Sequence, residues 1–180
     1  MRKMNKVAPA VPAGIHLNLG CGAKTWNGFI NIDFPVNWSG RKPDIECDLR
    51  SIPLTDGYAD SAYAIHVLEH FYRYETEQVL KEWVRLLRPG GQLVIEVPCL
   101  DKVLRVFNHY ISSKKELNPQ MTLHRLYGDP KYKDPTMVHK WCFSTAELVD
   151  LMEQAGLKDV HYSDPEYHHP QCDMRVTGIK

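Results

Sequence analysis

Hydrophobic positions in this 180-residue chain change period along its length, and the changes mark out alternating strands and helices. In "GIHLNLGCG", Ile15, Leu17 and Leu19 alternate with polar residues and run into Gly20 and Gly22. That is the pattern of a buried strand ending in a tight turn. "FINIDF", residues 29–34, repeats it with Phe29, Ile30 and Ile32 and closes on the acid Asp33. "PDIECD" allows a short third strand, and "LRSIPLTDGYAD" reads as turn-rich loop before a fourth strand in "SAYAIH". Val79, Leu80, Trp83, Leu86 and Leu87 then recur at helical spacing behind Thr76, a suitable N-cap, and "RPGG" stops the helix. "QLVIEVP", residues 92–98, is almost continuously apolar, as a strand covered on both faces should be.

The second half is less regular. One helix is expected around "KVLRVFNHYI", followed by the polar, proline-bearing stretch "YGDPKYKDPTMVHKW", a kind of segment that usually moves or carries function. Ser144 and Glu147 form a capping box for "TAELVDLMEQA", which Gly156 closes, and two last strands are expected near "KDVHYS" and "DMRVTGIK". The alternation predicts a layered α/β sheet in one domain over residues 14–180, with a flexible arm at 1–13 and ligands at the carboxyl ends of the strands. Residues 100–140 form an insert facing the substrate.

Lysine plus arginine and aspartate plus glutamate both number 22, so no broad basic field advertises a nucleic-acid partner. Five cysteines lie scattered with no C-x-x-C pair, which suits a reducing cytoplasm better than a disulfide framework. The basic opening "MRKMNKVAPAVPAG" has a short apolar stretch broken by Pro9 and Pro12, unlike a signal peptide, and no apolar run is long enough to span a membrane.

A strand, a glycine turn, a second strand and an acid suggest a nucleoside site, with a plain tight turn as the alternative. Gly20 and Gly22 let backbone approach a ligand and leave amides free to point at it, and Asp33 can accept both hydroxyls of a ribose. "LNLGCG", "NIDF", "CDLRSIPLTDGYADSAYAIHVLEHF" and "LLRPGGQLVIEVP" stand in the order and spacing of the motifs of class I S-adenosylmethionine-dependent methyltransferases, and the chain resembles their small type 11 group over residues 15–100. The resemblance returns weakly in "FSTAELVDLMEQAGL". It implies a Rossmann-like, mostly parallel, doubly wound sheet of seven strands with an antiparallel C-terminal strand. It further implies S-adenosylmethionine as cofactor, with Leu19, Gly20, Cys21 and Gly22 holding its methionine part. Asp33 and Phe34 would lie at the ribose, Asp48 and Leu49 at the adenine, and His66 beneath the methionine chain.

One departure is physical. Only 33 − 22 = 11 residues separate Gly22 from Asp33, against about 20 in a dinucleotide fingerprint, and the eight residues from Cys21 to Gly28 are too few for a helical crossover. The first helix should be short or missing, with Trp26 filling its place and cofactor binding weakened or completed by a partner. The same gap, with Thr25 at the third glycine position, argues against a nicotinamide dehydrogenase.

His66, Glu69 and His70 match the H-x-x-E-H pattern of zinc hydrolases. With His66 at the end of a strand, however, His66 and His70 need not share a helix face, and His168, His169 and Cys172 read as a solvated loop, so no metal is expected. A sulfonium methyl is already activated, so transfer depends mainly on alignment, with a base needed only for a hydroxyl or protonated amine acceptor. His139 is the first candidate base and Tyr127 the second, with His124 and Asp101 behind them. The expected reaction is methyl transfer to a small metabolite or sugar derivative in the cytoplasm, with no nucleic acid or membrane and with a homodimer left open. A non-catalytic cofactor- or partner-binding relative is the alternative, and a zinc hydrolase the third reading.

Overall fold

The computed structural model describes residues 13–35, 40 and 42–180, so the arm expected at 1–13 lies, except for Ala13, outside the described residues. Seven strands form one sheet: β1 His16–Leu19, β2 Ile30–Asp33, β3 Ile45–Glu46, β4 Ala59–Ile65, β5 Leu87–Pro98, β6 Lys158–Ser163 and β7 Asp173–Ile179. Their order across the sheet is β3-β2-β1-β4-β5-β7-β6. β7 runs antiparallel to both its neighbours and every other pairing is parallel, as expected of the fold. The chain order reverses beside β1, which places a crevice at the carboxyl ends of β1, β2 and β4.

The period-2 pattern sorts the sheet's two faces. Leu17, Leu19, Ile32, Ala62, Ala64, Leu93, Ile95, Met174 and Val176 turn to one side and join the main core with Val79, Leu80 and Trp83 of α1 (Thr76–Leu86). The other side carries His16, Asn18, Asn31, Ser61, Glu96, Arg175 and Thr177, all buried yet polar.

No helix joins β1 to β2, as the short linker predicts. Trp26 and Phe29 cover the sheet there instead, packed edge-on to each other at 5.1 Å and against Tyr63, with Tyr167 arriving from the β6–β7 connection. The polar side chains beneath are hydrogen-bonded, as burial demands. Asn31 accepts from Asn18 Nδ2 at 2.9 Å and from the Trp26 amide at 2.7 Å. Glu96 accepts from Arg175 Nε at 2.9 Å and from the Glu166 amide at 2.7 Å.

α2 (Leu100–Ser112) and α4 (Thr145–Gln154) stand where helices are expected. Thr76 is the first helical residue rather than the cap, and Glu75 occupies the cap position without a capping bond. Of the expected capping box only one arm forms: Ser144 accepts from the Glu147 amide at 3.2 Å. Glu147 is drawn away to Arg73 Nε, 2.6 Å distant, a charge-assisted bond that outweighs a neutral one.

The stretch before α4 is ordered by repetition. Asn118-Pro119, Asp129-Pro130 and Asp134-Pro135 each begin a single 3-10 turn, with the Asn or Asp side chain accepting from the amide two residues on. Proline needs no donor at that position, so the motif recurs at little cost. α3 (Leu123–Tyr127) lies among these turns.

Candidate active site

At the carboxyl ends of β1, β2 and β4 lies a cavity of about 230 Å³ whose walls include Gly20, Gly22, Asp33, Phe34, Leu49 and His66. These are six of the residues expected at the cofactor. Asp33 ends β2 with Oδ2 accepting from the Gly22 amide at 2.6 Å and Oδ1 from the Phe34 amide at 2.7 Å. Each carboxylate oxygen keeps a second lone pair for a diol.

The amides of the glycine turn are not free, contrary to expectation. Those of Gly20 and Cys21 both donate to the Ile32 carbonyl, at 2.8 and 3.1 Å, and that of Gly22 is held by Asp33. With no helix to continue into, the turn folds back on β2. Gly20 takes φ +64, and a Cβ there would lie 2.6 Å from Val67 Cγ2, so only glycine fits.

Three expected cofactor residues lie off the cavity wall. Leu19 is fully buried in the core. Cys21 is buried too, and burial, helped by the charges of Asp33 and Asp44, pushes its thiol up to about 12. Asp48 is not on this wall. Its carboxylate is clasped by Arg50, through Nε at 3.0 Å and Nη2 at 2.6 Å, and this pairing holds it below the usual carboxylate range. Arg50, which also donates to Glu75 at 2.8 Å, takes the place on the wall expected for Asp48.

His66 closes β4 in the left-handed region, φ 57, its amide donating to Glu96 O at 2.7 Å. A non-glycine residue held there stores strain, which clusters at functional sites. Its Nδ1 lies 2.8 Å from Oε1 of the fully buried Glu69, and its Nε2 lies 3.8 Å from Oδ2 of Asp173. Burial works against charge on the imidazole, but the two carboxylates outweigh it and raise its pKa, while His66 holds Glu69 low. Leu68–His70 form a single 3-10 turn rather than part of a helix, so H-x-x-E-H is not a helical face here.

The candidate bases stand in different places. His139 does not line the cavity: its Nδ1 meets Arg125 O at 2.9 Å and its ring packs edge-on against His70 at 4.9 Å. Tyr127, His124 and Asp101 are absent from this wall as well. Asp101 accepts from the Thr145 amide at 2.8 Å and secures the start of α4. Tyr127 and His124 line a second cavity of about 610 Å³, with Leu123, Pro135 and Val138. Met137 borders both cavities. Glu75 and Lys140, which sequence reasoning overlooked, and His70, singled out there only in the zinc pattern, stand on the first wall, and His70 Nδ1 is tied to Val138 O at 3.1 Å.

This sheet order, with an acid ending the second strand, is that of the class I methyltransferase fold. A family model described as "Methyltransferase domain" matches residues 33–95. Among solved structures, a Thermotoga maritima S-adenosylmethionine-dependent methyltransferase, titled a possible histamine N-methyltransferase, superposes with a TM-score of 0.63. It shares 20% identity, over 94% of this chain and 84% of that one. The Burkholderia thailandensis 1,6-didemethyltoxoflavin-N1-methyltransferase, solved with its substrate and S-adenosylhomocysteine, gives 0.58 at 17% identity, over 93% and 71% of the two chains. The tRNA (carboxymethyluridine(34)-5-O)-methyltransferase ALKBH8 of Macaca fascicularis is 32% identical over 94% of this chain and 26% of its own length. The sterol 4-C-methyltransferase strm-1 of Caenorhabditis elegans is 30% identical over 69% and 36%. The chain thus spans only about a quarter to a third of these two relatives. The chain has the fold of class I S-adenosylmethionine-dependent methyltransferases and carries the methyltransferase-domain match over residues 33–95. Among the described residues no helix is long and apolar enough to cross a membrane.

S-adenosylmethionine fits the chemistry of the cavity: an acid with spare lone pairs at the ribose position, a side-chain-free Gly20 beside it, and apolar Leu49 and Phe71 for a base. A volume of about 230 Å³ is below the roughly 300–1,000 Å³ usual for ligand pockets. Thr136 and Met137 of the last 3-10 turn, with Lys140 just beyond it, are the residues that would have to yield.

Proposed function

We propose that the chain transfers the methyl group of S-adenosylmethionine to a small-molecule acceptor seated between Met137 and Tyr127. The reading rests on one observation above the others: Asp33, Gly20 and His66 face a single cavity, and Met137 separates it from a second, larger one. Asp33 holds the ribose, Gly20 leaves room for the methionine chain, and Leu49 with Phe71 covers the adenine. The bound cofactor supplies an electrophilic methyl, and the chain contributes alignment and exclusion of water.

The acceptor side is mostly apolar, with Leu123, Tyr127, Pro135 and Val138, which suits a flat or greasy molecule better than a phosphate backbone. Balanced charge points the same way. Because one relative acts on tRNA and another on a sterol, the acceptor panel includes both classes. His70, with Nδ1 fixed on Val138 O, presents Nε2 to receive a hydrogen bond from the acceptor. His139 supports it from behind.

A second reading, a relative that binds cofactor or a partner without turnover, is favoured by the spent turn amides and the small cavity. A thermal shift with S-adenosylhomocysteine, beside NAD as control, separates the two. At a hundred times its dissociation constant the ligand adds about 2.7 kcal/mol, or roughly 5–10 °C for a chain of this size. A response followed by methyl transfer to any member of the panel supports the enzyme. No response, with Asp33→Ala equally indifferent, supports the non-catalytic reading.

A further inference from the structure

Glu69 is fully buried, yet among the described residues neither of its carboxylate oxygens has a hydrogen-bond partner. His66 Nδ1 approaches Oε1 to 2.8 Å as an ion pair, while Oε2 is left with nothing among the described residues. His139 Nε2 faces the same oxygen at 4.0 Å, and the three ligand atoms fall within 4.8 Å of one another. A buried carboxylate left this way is costly unless something positive sits against it.

From this geometry we infer a binding site for a divalent transition metal, zinc by preference, held by His66 Nδ1, Glu69 Oε1 and His139 Nε2. Two ligands held about 2.1 Å from one tetrahedral ion stand roughly 3.4 Å apart. The separations of 2.8 and 4.0 Å lie on either side of that value. Two imidazoles and one carboxylate are a ligand set that zinc uses when it keeps an open position.

The surroundings match what holds metal-binding histidines in place. His139 Nδ1 meets the Arg125 carbonyl at 2.9 Å, which fixes the tautomer that leaves Nε2 with its lone pair. Behind His66, Asp173 Oδ2 stands 3.8 Å from Nε2. The amides of Lys140 and Trp141 donate to Glu69 O at 2.7 and 3.3 Å, so the strand-end turn and the segment bearing His139 are already joined by backbone. The H-x-x-E-H motif thus supplies two ligands, but the third comes from residue 139 and not from His70.

The test uses the full chain, stripped with chelator and titrated with Zn²⁺ and with Co²⁺ as a spectroscopic substitute. The expected result is one equivalent of Zn²⁺ bound at micromolar concentration or tighter, a rise in Tm, and visible Co²⁺ absorption typical of mixed nitrogen and oxygen ligands. Glu69→Gln and His139→Gln should each weaken Zn²⁺ by more than the 10- to 100-fold that outer-shell partners cost, while His70→Ala keeps it within tenfold. Circular dichroism checks that the variants fold, and the unaltered chain decides by itself if they do not. Absence of stoichiometric metal in that chain overturns the site. Loss on His70→Ala but not on His139→Gln overturns the ligand set.

Discussion

A methyl group placed at Gly20 would meet Val67 twice, 2.6 Å from Cγ2 and 2.7 Å from Cγ1, closer than real Cβ contacts come. Val67 is buried and β-branched, so it cannot swing aside. The Gly20→Ala variant therefore carries two costs. Holding alanine at φ +64 costs about 1–2 kcal/mol, and overpacking adds about 1–3 kcal/mol. The sum, about 2–5 kcal/mol, lowers Tm by roughly 4–20 °C for a chain of this size. The two costs separate in a double-mutant cycle read by urea unfolding. Val67→Ala alone removes two methyl groups, costing about 1.5 kcal/mol from transfer and more from the cavity. In the double variant the clash disappears, so the pair should cost about 1–3 kcal/mol less than the sum of the singles. Additive singles, or a Gly20→Ala variant within 0.5 kcal/mol of the parent, would refute the assignment of this contact.

Three further outcomes are expected. Asp33→Ala removes a charged acceptor worth about 1.5–3 kcal/mol, so calorimetry should show S-adenosylhomocysteine binding weakened by roughly 10- to 100-fold. Glu82 accepts from the Ile52 amide at 2.7 Å and pairs with Arg85, whose bond to it lowers its pKa below the ordinary 4.5. Its stabilisation is complete above that value and lost as pH falls through the lowered one, so Glu82→Gln should cost about 1–3 kcal/mol at neutral pH. The deficit should shrink in acid, as urea midpoints across pH 2–7 would show. Cys21, buried and pushed to about 12, should react far more slowly with iodoacetamide at pH 8 than the half-buried Cys47. Peptide mapping after brief labelling reads the order.

The sheet and main helices were legible because apolar alternation and helical spacing are local properties. Leu17, Leu19 and Ile32 occupy the faces their period dictates. That same period shows why Leu19 lies in the core and off the cavity wall. The missing helix followed from chain length alone. The pairing of Asp48 with Arg50, two residues away, is local yet has no signature in the motif pattern. The position of His139 depends on turns set by three Asn/Asp-Pro pairs, and its nearness to Glu69 joins residues 70 apart. Periodicity carries no signal for such a meeting, but the buried glutamate beside two histidines in "HVLEH" hinted at unusual demand for positive charge.

The aromatic and polar cover on the second side of the sheet joins distant parts of the sequence: Trp26 and Phe29 come from near one end, Tyr167 and Arg175 from near the other. During synthesis, that underside must stay wet until the ribosome has released the last of these groups. Helix α1 can dock on its own side before then, so the side where a helix was left out closes later than the side that has one.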